Sequence, residues 1–335
     1  MAFNPADLPH PRDTFSLEGV EAADAAFLEA LSRGRLHHAW LLTGPEGVGK
    51  ASFAYRAARR LLGARPDPLY GPLGVSPHDP VSRQVSARSH PDLMVLERIG
   101  EDGKPRKVIP VDEARRLPEF FSKAPGSAPY RVAIIDAADD LNVNSANAVL
   151  KTLEEPPERG VLFLISHTPG GLLPTIRSRC RRLAIAPLDE ARAAERTAAI
   201  TGVSDEDAAA LAHMARGAIG QALRLSASGA LEADREAREI LRALPGSDPA
   251  ALLALADSFR GGEGMARFTQ LFERLADQVH AMATRDAAEG RGEGLERWAE
   301  AWALLRRMPE EAEALNLDRA DSLFTAVREL RRAAS

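Results

Sequence analysis

The residues best suited to chemistry form a glycine-rich run with one lysine, Gly44-Pro45-Glu46-Gly47-Val48-Gly49-Lys50. Backbone N–H groups of such a loop can surround phosphates while the lysine reaches the terminal ones, provided that a strand precedes the loop and a helix follows. The apolar run 38–43 predicts the strand, and 52–62 has a strong helical pattern. The sequence therefore predicts a P-loop with nucleotide-binding residues Gly44, Gly47, Gly49 and Lys50.

Two positions depart from the pattern of a hydrolytic P-loop. The residue after the lysine is normally Ser or Thr, which binds Mg²⁺, but here it is Ala51. Ser52 lies about 100° further round the helix and should point away from the metal. Magnesium binding is therefore weakened, unless Ser52 or a water substitutes.

The second departure follows the predicted strand 131–136, whose last residue is Asp136. In a P-loop ATPase an acid at this point helps to hold the magnesium shell, so Asp136 joins the predicted site. A glutamate often follows and polarises the attacking water, but Ala137 has only a methyl group, which cannot do so. The alternative is that Asp136 is only a solvated acid at a strand end.

Length and composition limit the remaining possibilities. A chain of 335 residues suggests two or three domains, and its net charge of −5 gives no global attraction to nucleic acid. The single cysteine, Cys180, excludes an intrachain disulfide and a cysteine-rich zinc site. With no apolar leader in 1–14 and no predicted membrane span, we expect a cytoplasmic protein.

The order of patterns predicts an α/β region followed by an all-α region. Residues 1–185 would form the P-loop domain, 186–232 a small helical domain and 233–335 a larger helical domain with apolar stripes. Within the first, the segment 65–88 is rich in Pro, Gly and Ser, and it predicts an irregular insertion.

Two further motifs carry a family resemblance. The run Asn147-Ala148-Val149-Leu150-Lys151-Thr152-Leu153-Glu154-Glu155-Pro156-Pro157 and the tripeptide Ser178-Arg179-Cys180, together with the P-loop, resemble the clamp-loader branch of the AAA+ ATPases. The resemblance implies an AAA+ domain with a parallel sheet, a helical lid and a helical collar for oligomerisation. It further implies a subunit of the bacterial DNA polymerase III holoenzyme.

The resemblance also indicates which kind of subunit this is. Motor subunits carry a hydroxyl after the lysine, Asp-Glu at the strand end and an arginine at the start of a lid helix, where this chain has Ala51, Ala137 and Gly220. Arg179 is intact, and in the family it reaches the γ-phosphate bound by the adjacent motor. The expected function is therefore a non-motor subunit without intrinsic ATPase, which supplies this arginine in trans.

Several alternatives stay open. The chain could be an ATP-hydrolysing motor that tolerates its substitutions, or a structural scaffold with an idle arginine. Arg179 could also be one member of a solvated basic loop, together with Arg177, Arg181 and Arg182.

The resemblance finally implies partners and cofactors. Expected partners are gamma/tau-like motor and delta-like subunits, the sliding clamp indirectly, and primer-template DNA, with no membrane. DNA contact is expected through Asn144 and Lys151, although Lys151 could instead form a salt bridge. ATP and Mg²⁺ binding should be weak or lost. No zinc is expected, because 65–88 lacks the four cysteines that some relatives carry there.

Overall fold

The computed structural model describes residues 8–99, 104, 106–244, 246, 248–291 and 294–334. The chain divides into two units, Ala2–Ala222 and Leu223–Ser335. Each unit has its own hydrophobic core. The division into three domains, with boundaries after residues 185 and 232, stays a prediction.

The first unit is built on a five-stranded, fully parallel sheet in the order β2-β3-β4-β1-β5. The central strands are apolar runs buried on both faces, as parallel sheets covered by helices require. The strands are β1 Ala39–Thr43, β2 Leu93–Glu97, β3 Arg131–Asp136, β4 Gly160–Ser166 and β5 Arg181–Ala184. Because all five run in one direction, the loops after β1, β3 and β4 meet at the same edge of the sheet.

Helices alternate with and follow the strands of the first unit, and polar caps fix where several of them begin. Asn142 accepts a hydrogen bond from Ser145 N to start α6, and Asp189 and Ser204 do the same for α8 and α9. The helices are α1 Glu21–Ser32, α2 Lys50–Leu61, α3 Pro80–Ser86, α4 Val111–Ala114, α5 Arg116–Ser122, α6 Val143–Glu154, α7 Pro174–Ser178, α8 Glu190–Thr201, α9 Asp205–Met214 and α10 Ile219–Ala227.

The segment 65–88 is less irregular than its composition predicts. Helix α3 lies within it, capped by Asp79, whose carboxylate accepts from Val81 N, with Pro80 as its first residue. Proline fits this position because its fixed φ suits the first turn and its missing N–H would have had no partner there. Val85 of this helix is buried in the core of the first unit.

In the second unit the described residues form helices joined by turns. Its core is formed mainly by α13 and the two helices that follow it. The helices are α11 Ala230–Arg242, α12 Pro249–Asp257, α13 Gly264–Ala288, α14 Leu295–Ala314 and α15 Arg319–Ala334. Helix α14 continues through Pro309, which is buried within it. None of the described helices is both long and apolar enough to cross a bilayer.

Candidate functional site

The P-loop encloses its own lysine. Gly47 and Gly49 adopt φ values of 82° and 95°, which are strained for any residue with a side chain, so the turn depends on both glycines. The Lys50 ammonium donates to the carbonyl oxygens of Gly44 and Pro45, each at 2.6 Å. Lys50 is only 3% exposed. Its charge is therefore directed into the loop that should hold phosphates.

The first turn of α10 closes the loop from outside. Gly220 N donates to Gly47 O at 2.9 Å. A Cβ on Gly220 would lie 2.8 Å from that oxygen, and a Cβ on Gly47 would lie 2.4 Å from Gln221 N. Gly220 occupies the position where the resemblance expected a nucleotide-sensing arginine. No side chain fits there while this backbone contact is made.

The part of the site that would bind Mg²⁺ also departs from the pattern of a hydrolytic P-loop. Ala51, which follows the lysine where a hydroxyl is expected, packs against the core. Ser52, one position later, is buried, with only 7% of its surface exposed. On the other side of the loop, a Cβ on Gly49 would lie 2.7 Å from Leu17 Cδ1. The position after the lysine therefore offers no oxygen ligand to a magnesium ion, and an apolar side chain packs against the last glycine of the loop.

Asp136 is harder to ionise than an ordinary aspartate. It ends β3 directly opposite Glu97 of β2. Burial, reinforced by the Glu97 carboxylate, raises the pKa of Asp136 to about 6, although Lys50 acts in the opposite direction. The neighbouring acid behaves differently. Burial pushes the pKa of Asp139 up, but hydrogen bonds from His167 N, Thr168 and Ser166 bring it below its ordinary value.

Together these features do not fit a bound magnesium nucleotide. The structure does bring the predicted residues Gly44, Gly47, Gly49, Lys50 and Asp136 to one edge of the sheet, as expected. What it shows in addition is that the Lys50 ammonium donates to two carbonyls of its own loop, and that the Gly47 carbonyl accepts from α10.

Arg179 lies away from this loop, where α7 ends. Its side chain is 37% exposed. Nη1 donates to Thr175 O at 3.2 Å, and Nη2 lies 3.2 Å from Glu154 Oε1 at the end of α6. The guanidinium is thus held by two elements and is open to solvent.

The neighbours of Arg179 are engaged differently, which argues against one solvated basic loop. Arg181 stacks over the Trp40 ring, with its Cζ 4.8 Å from the ring centroid, and Arg182 Nε donates to Thr43 Oγ1. Ser178 Oγ donates to Thr175 O at 3.2 Å. Burial raises the pKa of Cys180 to about 12, so its thiol stays protonated and serves in packing.

A second polar surface lies on α6. Asn144, Asn147 and Lys151 follow one another at helical spacing, and with Arg115 they line an open cavity of about 270 Å³. All four are exposed. Within the described part of the chain Lys151 has no ion-pair partner, so the predicted alternative of a salt bridge is not seen.

Sequence reasoning missed three residues of this site. Glu97 and Glu154 were unassigned because their partners depend on strand order and on how α6 meets α7. Gly220 was noted only as a missing arginine, and its contact with Gly47 joins residues far apart in the chain. The one available signal was the pair of acids, Glu154 and Glu155, at the end of a helix, where cations are preferred.

Comparisons with known proteins agree with the motifs. The sequence profile described as "DNA polymerase III, delta subunit" matches residues 20–189. The DNA polymerase III subunit delta' of Pseudomonas aeruginosa is 40% identical over 148 residues, which are 44% of this chain and 43% of that protein. The gamma/tau subunit of Mycobacterium tuberculosis is 36% identical over 169 residues, 50% of this chain and 28% of that protein. The chain thus spans less than half the length of these relatives.

A solved structure, a gamma subunit-related protein of Thermotoga maritima, is 17% identical with a TM-score of 0.41, covering 92% of this chain and 100% of that chain. A likeness this weak adds nothing to the strand order and P-loop described above. The profile match is stronger, because it takes in half of the chain, including the P-loop, β3, α6 and Arg179. By this match the chain belongs to the DNA polymerase III delta subunit family of AAA+ clamp-loader proteins, in which it is similar to the delta-prime subunit.

Proposed function

We propose that this chain is a non-motor, delta-prime-type subunit of a cytoplasmic replicative clamp loader, without ATPase activity of its own. One observation carries the proposal. The Lys50 ammonium is bonded to carbonyls of its own loop and the Gly47 carbonyl is bonded to α10, whereas Arg179 is open to solvent at another part of the same unit. A chain of this kind can take part in ATP hydrolysis only by acting on a neighbour.

Arg179 would act as an arginine finger on the ATP of an adjacent motor. A guanidinium placed in trans stabilises charge on the transferring phosphoryl group and contributes about 10³–10⁵ in rate, or about 4–7 kcal/mol. This role requires a cation that is exposed, permanently charged and rigidly carried. Arg179 meets these conditions, since a guanidinium is a permanent cation, its side chain is 37% exposed and its backbone caps α7.

The test is reconstitution of the clamp loader with Arg179→Ala. The clamp-stimulated ATPase rate should fall at least 10-fold, while the complex still assembles on a sizing column. Arg177→Ala is the matched control, because Arg177 is exposed two residues away and should leave the rate unchanged. An unchanged rate with Arg179→Ala would favour a purely structural scaffold.

The rival function, an ATP-hydrolysing motor, makes a different prediction. Purified chain should then bind ATP with Mg²⁺ and turn it over alone, with loss of turnover in Lys50→Ala. We expect calorimetric titration with ATP and Mg²⁺ to show weak or no binding, because the Lys50 ammonium already donates to two loop carbonyls and Ala51 has no hydroxyl for the metal.

The α6 surface is proposed to contact the DNA backbone when the clamp is loaded on primed DNA. Amide and ammonium groups at helical spacing suit phosphates without reading sequence. Lys151→Ala should weaken binding of the assembled complex to primed DNA uniformly across sequences, and it should reduce the salt slope by about 1. Lys123→Ala is the control, since that lysine is exposed but outside the cavity. Equal effects of the two variants would contradict the contact.

A further inference from the structure

Arg179 already has an anionic partner within its own chain. The ion pair joins Arg179 Nη2 to Glu154 Oε1 at 3.2 Å, and the hydrogen bond to Thr175 O holds the other side of the guanidinium. Glu154 is the last residue of α6, and Arg179 caps α7. Both side chains are more than a third exposed, so an approaching subunit can reach the pair.

The position of Glu154 is unfavourable for its own helix. An acid in the last turn faces the negative end of the helix dipole, where a lysine or arginine would be stabilising. Glu155, also exposed, follows directly and adds a second negative charge. A local rule broken without local gain often marks a functional constraint. Of the two acids, Glu154 makes the ion pair with the Arg179 guanidinium, and the negative end of the helix lies beside it.

We propose that Glu154 is a positioning residue that retains Arg179 in its own chain until a neighbouring subunit presents a nucleoside triphosphate. This inference rests on the proposed function of Arg179. A terminal phosphate carries more negative charge than one carboxylate and offers several oxygens to the fork of the guanidinium. Delivery of Arg179 therefore exchanges one ion pair for another, and no covalent bond changes.

The size of the effect follows from the exposure of the pair. Exposed ion pairs shift an equilibrium by about 1.4- to 5-fold. Glu154 should therefore weaken engagement of a triphosphate-loaded neighbour by about this factor. It should have no effect on a diphosphate-loaded neighbour, which offers no terminal phosphate for Arg179 to reach.

The experiment measures the affinity of the full chain for the motor subunit, loaded with a non-hydrolysable ATP analogue or with ADP, at low ionic strength. Glu154→Gln keeps the shape of the side chain but removes its charge, so it should tighten binding about 1.4- to 5-fold with the analogue and leave binding with ADP unchanged. Glu155→Gln is the matched control, removing the adjacent charge, and should change neither.

A double variant shows whether Glu154 acts through Arg179. Adding Glu154→Gln to Arg179→Ala should have no further effect on binding. Unchanged or weaker binding of the analogue-loaded motor by Glu154→Gln would overturn the inference, and so would equal tightening with ADP. Failure of the proposed function is seen separately, as an unchanged stimulated ATPase rate in Arg179→Ala.

Discussion

The raised pKa of Asp136 predicts that removing its charge stabilises the protein at neutral pH. The ordinary pKa of 3.8 governs the unfolded chain, and burial beside Glu97 raises the pKa to about 6 in the folded chain. At 1.36 kcal/mol for each unit of pKa, ionising this group costs the folded state about 3 kcal/mol. We therefore expect Asp136→Asn to raise the free energy of unfolding at pH 7.5 by up to about 3 kcal/mol.

The pH dependence has a definite sign. Because the folded pKa is raised, the wild-type stability from this group is fully present below pH 3.8 and is lost as the pH rises through 6. The gain from Asp136→Asn should consequently fall below about 1 kcal/mol at pH 4. Urea unfolding can be followed by fluorescence of Trp40, which is buried in the first unit, in a background with the other two tryptophans replaced by phenylalanine.

The matched control is Asp139→Asn, three residues further along. Hydrogen bonds from His167 N, Thr168 and Ser166 outweigh burial and lower the pKa of Asp139. Its contribution to stability is therefore present above pH 3.8 and lost as the pH falls through the folded pKa. Asp139→Asn should destabilise the protein at pH 7.5. A loss of stability in Asp136→Asn at that pH, or a gain that does not vary with pH, would refute the reasoning.

Two further predictions concern packing in the first unit, both measured by the same unfolding assay. Gly47→Ala places a Cβ 2.4 Å from the backbone nitrogen of Gln221 at a φ of 82°, so it should lower the free energy of unfolding by about 1–3 kcal/mol. The control is Gly170→Ala, where a Cβ would meet nothing within 4 Å, and it should lower the free energy of unfolding by less than about 0.5 kcal/mol. Arg56→Met removes the two hydrogen bonds that Arg56 donates to the buried Asp24 carboxylate. It should lower the free energy of unfolding by about 3–5 kcal/mol. Adding Asp24→Leu should recover most of that loss, and an equally unstable double variant would contradict the argument.

Local patterns predicted the elements of the site because each depends on nearby residues. The P-loop needs only a strand, two glycines and a lysine, and β3 is identified by an apolar run that ends in an acid. The α/β plus all-α fold class was confirmed for the same reason. Helix α3 was missed because composition was given more weight than the Asp79-Pro80 cap that starts it.

The state of the site depended on contacts that no local pattern contains. Glu97 faces Asp136 only because β2 lies next to β3 in the sheet. Gly220 closes the loop only because α10 begins beside Gly47. Similarly, α14 runs on through Pro309 because burial of its apolar face outweighs the local penalty of a proline. In each case packing between elements distant in the sequence determines the local structure.

The buried Lys50 ammonium has a consequence for how such chains change over generations. A buried cation is costly unless it is hydrogen-bonded, and the carbonyls of Gly44 and Pro45 provide those bonds. Replacing the lysine would leave both carbonyls without this donor, so selection for a stable chain alone is enough to preserve it. If this chain has no ATPase activity of its own, as proposed, Lys50 would persist without a catalytic role. The presence of this lysine therefore indicates that the turn is intact. By itself it does not indicate that the chain hydrolyses ATP.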